Sequence, residues 1–264
     1  MIKLDELDDK ITMKITILGS GSFFVDAEHS APAYLLELND KNILLDCGPG
    51  TQNQLAKIKF NPLDLDHIFI THFHADHTSD LFAILARFNI NYKFYGGKLK
   101  KLTIYGPKDI KKFVEKLADA YLLSSTLQYS DFEFIEYSED IKLDNLTIKP
   151  IKVEHLGVDA FALRIESQNK VFTYTGDAIL SPGTIAASKN ADLLITDCST
   201  PKDQSPVAHL STTQVGEICR DNNVKKVILS HQVPPAYNID MVGQVKEIFD
   251  GEVVLARDLM EIQF

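Results

Sequence analysis

Cysteine is scarce in this chain of 264 residues: only Cys47, Cys198 and Cys219 occur, widely spaced and with no CxxC pair. An odd number so spaced excludes a disulfide framework and fits reduced thiols in a cytoplasm. No apolar run approaches the ~20 residues of a membrane span, so no membrane partner is expected. The first ten residues, Met1–Lys10, lack the apolar core of a secretory signal. Basic residues are in deficit, 27 against 37 acidic, and the net charge of −10 argues against broad binding to a nucleic-acid backbone. Low-complexity segments, repeats and linkers rich in Pro, Gly or Ser are also missing, which leaves one globular unit as the expectation.

What is present is a chain long enough to bury a large core. Residues 1–12 are mostly charged and precede Met13, and read as an extension to a domain over 13–264 with halves 13–150 and 151–264. Lys14–Leu18 reads as a strand ending in the turn Gly19-Ser-Gly-Ser22. Ala33–Leu38 and Asn42–Asp46 read as a hairpin around Asn39-Asp40-Lys41. Gly48-Pro-Gly50 breaks the chain before a short helix from Thr51, and His67–Ile70 is a strand of buried type. Thr78-Ser79-Asp80 is expected to cap a helix whose apolar run is Leu81–Phe88. Ile110, Phe113, Val114, Leu117 and Tyr121 repeat at helical spacing. Strands follow at Phe132–Tyr137 and Ile141–Glu154, then Ala160–Glu166 and Lys170–Tyr174 around Gln168-Asn169. The remainder alternates: strands at Asp192–Thr196, Lys226–Ser230 and Glu252–Ala256, helices at Thr212–Asn222 and Met241–Phe249. Hairpins opening each half, followed by alternation, suggest two similar β-rich layers with helices outside. Lys98, Lys100, Lys101, Lys108, Lys111 and Lys112 form a basic patch, read as a solvated strand end and helix face.

The segment Thr71-His72-Phe73-His74-Ala75-Asp76-His77 packs three histidines and a carboxylate directly after a buried strand. On a turn leaving that strand, such spacing lets side chains converge, and imidazole with carboxylate suits zinc, manganese or iron.

This HxHxDH run resembles the signature of the metallo-β-lactamase superfamily, and the resemblance extends over nearly the whole chain from Met13. Asp46-Cys-Gly-Pro-Gly50 is similar to its DxGxG turn and Gly19-Ser-Gly21 to its first strand–turn. Within the superfamily the ribonuclease Z-like phosphodiesterases are most similar. The resemblance implies an α/β four-layer αββα sandwich, two mixed sheets face to face with helices on both outer sides, and two divalent ions, zinc before manganese or iron. One would be held by His72, His74 and His155, the other by Asp76, His77 and His231, with Asp177 bridging. It further implies hydrolysis by a metal-bridging hydroxide, and a homodimer.

By the same resemblance His209, in His209-Leu-Ser-Thr212, takes the place of a histidine at the scissile phosphate. Asp197 stands where the family has that histidine's glutamate partner, and Thr196 where it has a preceding histidine. The catalytic set is therefore Asp76, His209 and Asp197. Ribonuclease Z proper carries a tRNA-gripping arm between the positions of His155 and Asp177; here only residues 156–176 intervene, filled by a strand pair. Together with the acidic charge this disfavours tRNA processing and favours a cytoplasmic phosphodiesterase on small nucleotides or other small phosphodiesters. The main alternative is a thioesterase or lactonase of the glyoxalase-II type, which shares the metal motif but not His209-Leu-Ser. A ribonuclease Z-like RNA endonuclease is the second, and a non-enzymatic binding protein would be expected to have lost ligands. His29 with Ser30 and Cys198 are candidates to line the pocket. His67 is read as a strand residue, Cys47 as packing near the site and Cys219 as core.

Overall fold

The computed structural model describes residues 13–38, 41–124, 127, 131–167, 170–202, 204 and 207–263. The extension 1–12 and the turns at Asn39-Asp40 and Gln168-Asn169 lie outside the described residues.

Alternating side chains sort each strand into an inner and an outer face. The first sheet uses β1 (Lys14–Gly19), β2 (Ala33–Leu38), β3 (Lys41–Leu45), β4 (His67–Phe69), β5 (Leu102–Gly106), β6 (Phe132–Glu136) and, from the far end of the chain, β14 (Met260–Gln263). Its order is β14-β1-β2-β3-β4-β5-β6, antiparallel as far as β3 and parallel beyond it. The second sheet uses β7 (Ile141–Leu143), β8 (Leu146–Val153), β9 (Ala160–Ser167), β10 (Lys170–Tyr174), β11 (Leu193–Asp197), β12 (Lys226–Ser230) and β13 (Glu252–Leu255). Its order is β13-β12-β11-β10-β9-β8-β7, with β10 to β13 parallel and the rest antiparallel.

Ile15, Ile17, Ile43, Leu45 and Phe69 of the first sheet meet Leu163, Ile165, Phe172, Ile195 and Ile228 of the second in one core between the sheets. Leu18, Leu44, Ile68 and Ile70 point the other way, under α1 (Thr51–Lys57), α3 (Leu81–Tyr95) and α4 (Ile110–Ala120). Leu194, Val227 and Leu229 are covered by α6 (Thr212–Asp221) and α7 (Met241–Lys246), while α5 (Pro182–Ser188) packs on β8 and β9. The result is the expected αββα sandwich. Among the described residues no helix is long and apolar enough to cross a membrane.

Several local expectations change. The sheets divide between Glu136 and Ile141 rather than at residue 150, and β14 returns to pair with β1, so each sheet is not one continuous half. The strand expected over Ile141–Glu154 is broken into β7 and β8 by a turn at Asp144, whose φ of 49° no extended strand accommodates. The helix whose apolar run was read over Leu81–Phe88 extends to Tyr95. Asp80 does not cap it; its carboxylate accepts from the Gln52 backbone instead. Strand β14 and helix α5 have no counterpart in the sequence reading, and β5 has one only in the strand end read at Lys98–Lys101.

Helix α6 opens on a reciprocal cap: Ser211 Oγ accepts from Gln214 N at 3.2 Å, and Gln214 Oε1 accepts from Ser211 N at 3.0 Å. Ser211→Ala should therefore cost about 1 kcal/mol of stability, read as a lowered midpoint in urea unfolding. An unchanged midpoint would show that the cap contributes nothing.

Candidate metal centre

Strand ends of both sheets meet at one edge of the sandwich. From β4 the chain leaves as Ile70-Thr71-His72. Asp76 and His77 then sit on a single helical turn, α2 (Ala75–Thr78), where a plain turn had been expected. His155 follows β8, Asp177 follows β10, Asp197 ends β11 and His231 follows β12. Gly176 has a φ of 58°, and a Cβ there would lie 2.9 Å from the Thr71 side chain, so the turn that delivers Asp177 has room only for glycine.

Among the described residues the side chains fall into three overlapping sets, each with ligand atoms within 4.8 Å of one another. His72, His74, His155 and Asp177 form one, Asp76, His77, His231 and Asp177 a second, and Asp177, Asp197, His209 and His231 a third. Asp177 belongs to all three, and in the third Asp197 is already taken up by His209. His74 Nδ1 and His155 Nε2 lie 3.2 Å apart, and Asp177 Oδ2 is 3.6 Å from His155 Nε2 and 3.2 Å from His231 Nε2. His77 Nε2 is 3.1 Å from Asp177 Oδ1 but out of line for a hydrogen bond. His72 Nε2, His77 Nε2, Asp76 Oδ1 and Asp177 Oδ1 are all buried without a hydrogen-bond partner. Buried polar atoms left unpaired are costly, and a cation among them satisfies all four. This donor set fits divalent metal ions.

Outer groups fix which ring nitrogen faces inward. Buried Asp46 accepts from His77 Nδ1 at 2.7 Å, Thr71 N and Thr71 Oγ1 at 2.8 Å, and the Tyr174 hydroxyl at 2.8 Å. Since Thr71 Oγ1 gives its proton to Asp46, it accepts from His72 Nδ1 at 3.1 Å. His155 Nδ1 donates to the Ala208 carbonyl at 3.0 Å, and His231 Nδ1 lies 3.1 Å from Ser199 Oγ. Each Nδ1 so occupied leaves Nε2 as the inward lone pair.

Asp46, Asp76, Asp177 and Asp197 are buried together, and no lysine or arginine pairs with any of them among the described residues. Burial opposes charge on His77, but Asp177 and Asp46 outweigh it and hold the ring well above the ordinary histidine range. Burial and its histidine neighbours drive His72 far down despite Asp177. Asp177 is kept well below the usual carboxylate range, since the surrounding histidines overcome its desolvation.

His209 approaches the same edge. Its Nδ1 donates to Asp197 Oδ2 at 2.6 Å, and its ring stacks on His231 with centroids 4.8 Å apart. Burial works against its charge, but the Asp197 carboxylate prevails and His209 is pushed up to about 9.

A cavity of about 240 Å³ opens over the cluster, lined by His74, Asp76, His155, Asp177, His209 and His231 on its floor. Phe23, Phe24 and Leu156 form part of its walls, the two phenylalanines being 63% and 62% exposed. These walls were absent from the sequence reading, because an exposed Phe-Phe pair reads like any apolar run. His29 does not reach the cavity. It stacks on Tyr237 at 4.0 Å and lines a separate hollow of about 870 Å³ that holds none of the cluster, so size alone does not locate the chemistry. Cys47, Cys198 and Cys219 are buried and free, and Cys198 packs in the core under α6, not in the cavity.

The fold and its His/Asp cluster define a metallo-β-lactamase-fold, metal-dependent hydrolase. More particularly, the chain belongs to the family described as Anti-Pycsar protein Apyc1, whose family model matches residues 13–243. Among curated proteins it is similar to ribonuclease Z of Archaeoglobus fulgidus, 25% identical over 95% of this chain and 97% of the relative. It is also similar to the probable metallo-hydrolase YhfI of Bacillus subtilis, 28% identical over 93% and 97%. The crystal structure of YhfI superposes with a TM-score of 0.83 at 24% identity, covering 96% of this chain and all of that one.

Asp46 generates a direct test. In Asp46→Asn one acceptor oxygen becomes a donor, which breaks the orientation of His77 and the Thr71 relay to His72. Metal affinity should fall by about 10–100-fold, measured as ions retained per chain after dialysis against graded chelator. Unchanged retention would remove Asp46 from the support of the site.

Proposed function

We propose that this protein is a binuclear phosphodiesterase acting on small nucleotides or other small phosphodiesters. The observation that carries the reading is the His209–Asp197 pair beside the metal cluster. Acyl hydrolysis needs the metal ligands; it has no evident need of a second, carboxylate-held imidazole at the cavity floor.

His72, His74 and His155 would hold one ion, Asp76, His77 and His231 the other, and Asp177 both; zinc suits this nitrogen-rich set. Bound there, divalent ions would supply Lewis acidity to activate water and positive charge to offset that of the phosphate. The chain itself does the rest. Asp197 holds His209 by Nδ1, so Nε2 carries the proton that protonates the departing alkoxide. Phe23, Phe24 and Leu156 offer an apolar wall to a nucleobase, while the narrow cavity orients the diester over Asp76 and Asp177. Between His155 and Asp177 the described residues contain only β9, β10 and their flanking turns, with no arm of the kind that grips tRNA.

A screen of the zinc- and manganese-loaded protein tests the reading. Bis(p-nitrophenyl) phosphate and cyclic nucleotides should be hydrolysed faster than a lactone or a thioester. The reverse order would install the thioesterase or lactonase reading.

His209→Ala should retain its metals yet lose about 10²–10⁴-fold in rate on a diester with an alkoxide leaving group. With p-nitrophenolate, which departs unprotonated, the loss should shrink. Equal losses on both would reduce His209 to holding the phosphate.

The pH dependence has a definite sign. His209 is protonated below about 9, so its acid form is present at neutral pH and is lost as pH rises. Bound cations lower that value, so kcat/KM on the alkoxide diester should decline on an alkaline limb at or below pH 9. That limb should vanish in His209→Ala; its persistence would assign it to another group.

A further inference from the structure

A second hollow, of about 520 Å³, adjoins the metal centre. His74 lines both hollows, so they share a wall. On its far side stand Lys108, in the loop after β5, and Lys112 and Lys116, one turn apart on α4. Neighbouring lysines are already engaged: Lys100 with Asp66, Lys101 with Glu133 and Lys111 with Glu115. Lys108, Lys112 and Lys116 have no such partner among the described residues. Of the two carboxylates on the same walls, Asp159 is held by Lys152 at 2.7 Å and only Asp109 is without a cation. Phe73, stacked on Phe113 with centroids 4.4 Å apart and planes at 6°, gives the hollow a rigid apolar side.

In a chain of net charge −10, three ammonium groups without an ion-pair partner, against the one carboxylate of Asp109, thus face a single concavity beside the metal cluster. Their mutual repulsion is relieved when an anion sits between them. Ammonium groups on flexible stems act as point charges that hold phosphate without demanding one geometry or reading a base.

We propose that this hollow is a second anion subsite, which takes a phosphate monoester carried by the substrate beyond the scissile diester. The proposal rests on the phosphodiesterase reading and narrows it: the preferred substrate is a nucleotide diester bearing a further phosphate. Lys108, Lys112 and Lys116 set that preference without touching the reacting atoms. Because all three are exposed, each contact is modest, and the set is expected to contribute about tenfold in affinity.

The test compares a dinucleotide with and without a 5′-phosphate as substrates of the metal-loaded protein and of its Lys108→Ala, Lys112→Ala, Lys116→Ala variant. In the wild type the terminal phosphate should lower KM about tenfold with little change in kcat. In the variant that advantage should disappear, while the unphosphorylated dinucleotide behaves alike in both proteins. No advantage in the wild type, or one that survives in the variant, overturns the subsite. A readout without turnover separates this proposal from the reaction it rests on: equilibrium dialysis of adenosine 3′,5′-bisphosphate, which has no diester, against adenosine monophosphate. The bisphosphate should bind about tenfold tighter to the wild type and no tighter to the variant. That result with no dinucleotide cleavage would sink the phosphodiesterase reading and keep the subsite. Equal binding to the wild type, with cleavage intact, would do the opposite.

Discussion

Four hydrogen bonds converge on the buried carboxylate of Asp46, and the geometry of the metal centre depends on them. Two come from Thr71, one from His77 and one from Tyr174. Asp46 follows β3 and Thr71 follows β4, so the first two bonds lock neighbouring strand ends together. The Tyr174 hydroxyl reaches across from β10, so the same carboxylate also ties the first sheet to the second. Through His77 directly, and through Thr71 to His72, it sets which nitrogen of each ring faces inward. Asp46 itself has a φ of 53°, as His231 has 57° at the corresponding point after β12. Such conformations cost energy in non-glycine residues and persist where surrounding contacts over-determine them.

The rest of the site follows from packing two such sheets face to face. Parallel strands present their C-terminal ends at one edge, where backbone leaves the ladder and side chains are free to converge. The first sheet supplies the HxHxDH segment and the second supplies His155, Asp177, Asp197 and His231. The two sets that include His72, His74, Asp76 and His77 each draw on both sheets, because each also takes Asp177 from the second. The inter-sheet core of Ile, Leu and Phe side chains therefore holds the two halves of the chemistry at a fixed separation. Tyr34 adds a second tie near the site, its hydroxyl 2.7 Å from Ser230 Oγ.

The sandwich and the clustering of His72, His74, Asp76 and His77 were legible in the sequence for a simple reason: both are written in local pattern. Alternating apolar runs give strands, and His72 to His77 are nearly consecutive. Distant single residues are a different matter. His155, Asp177 and His231 look like ordinary strand-end residues, and only the resemblance assigned them, as it did His209 and Asp197. The supporting roles of Tyr174, Ser199 and the Ala208 carbonyl exist only once the sheets are packed, and no local signal announces them. Strand β14 was missed because its partner β1 lies at the other end of the chain and two of its own four residues, Glu261 and Gln263, are exposed. The helix start at Asp80 misled for a related reason, since a tertiary contact with Gln52 claimed the carboxylate that local reading gave to the cap.

Seven side chains from two sheets are proposed to form two metal sites sharing Asp177. Anomalous diffraction from crystals of the metal-loaded protein, recorded at the absorption edge of the metal supplied, tests this arrangement most directly. Two peaks are expected, one ligated by His72, His74 and His155, the other by Asp76, His77 and His231, with Asp177 touching both. A single peak, or a second one away from these residues, would contradict it.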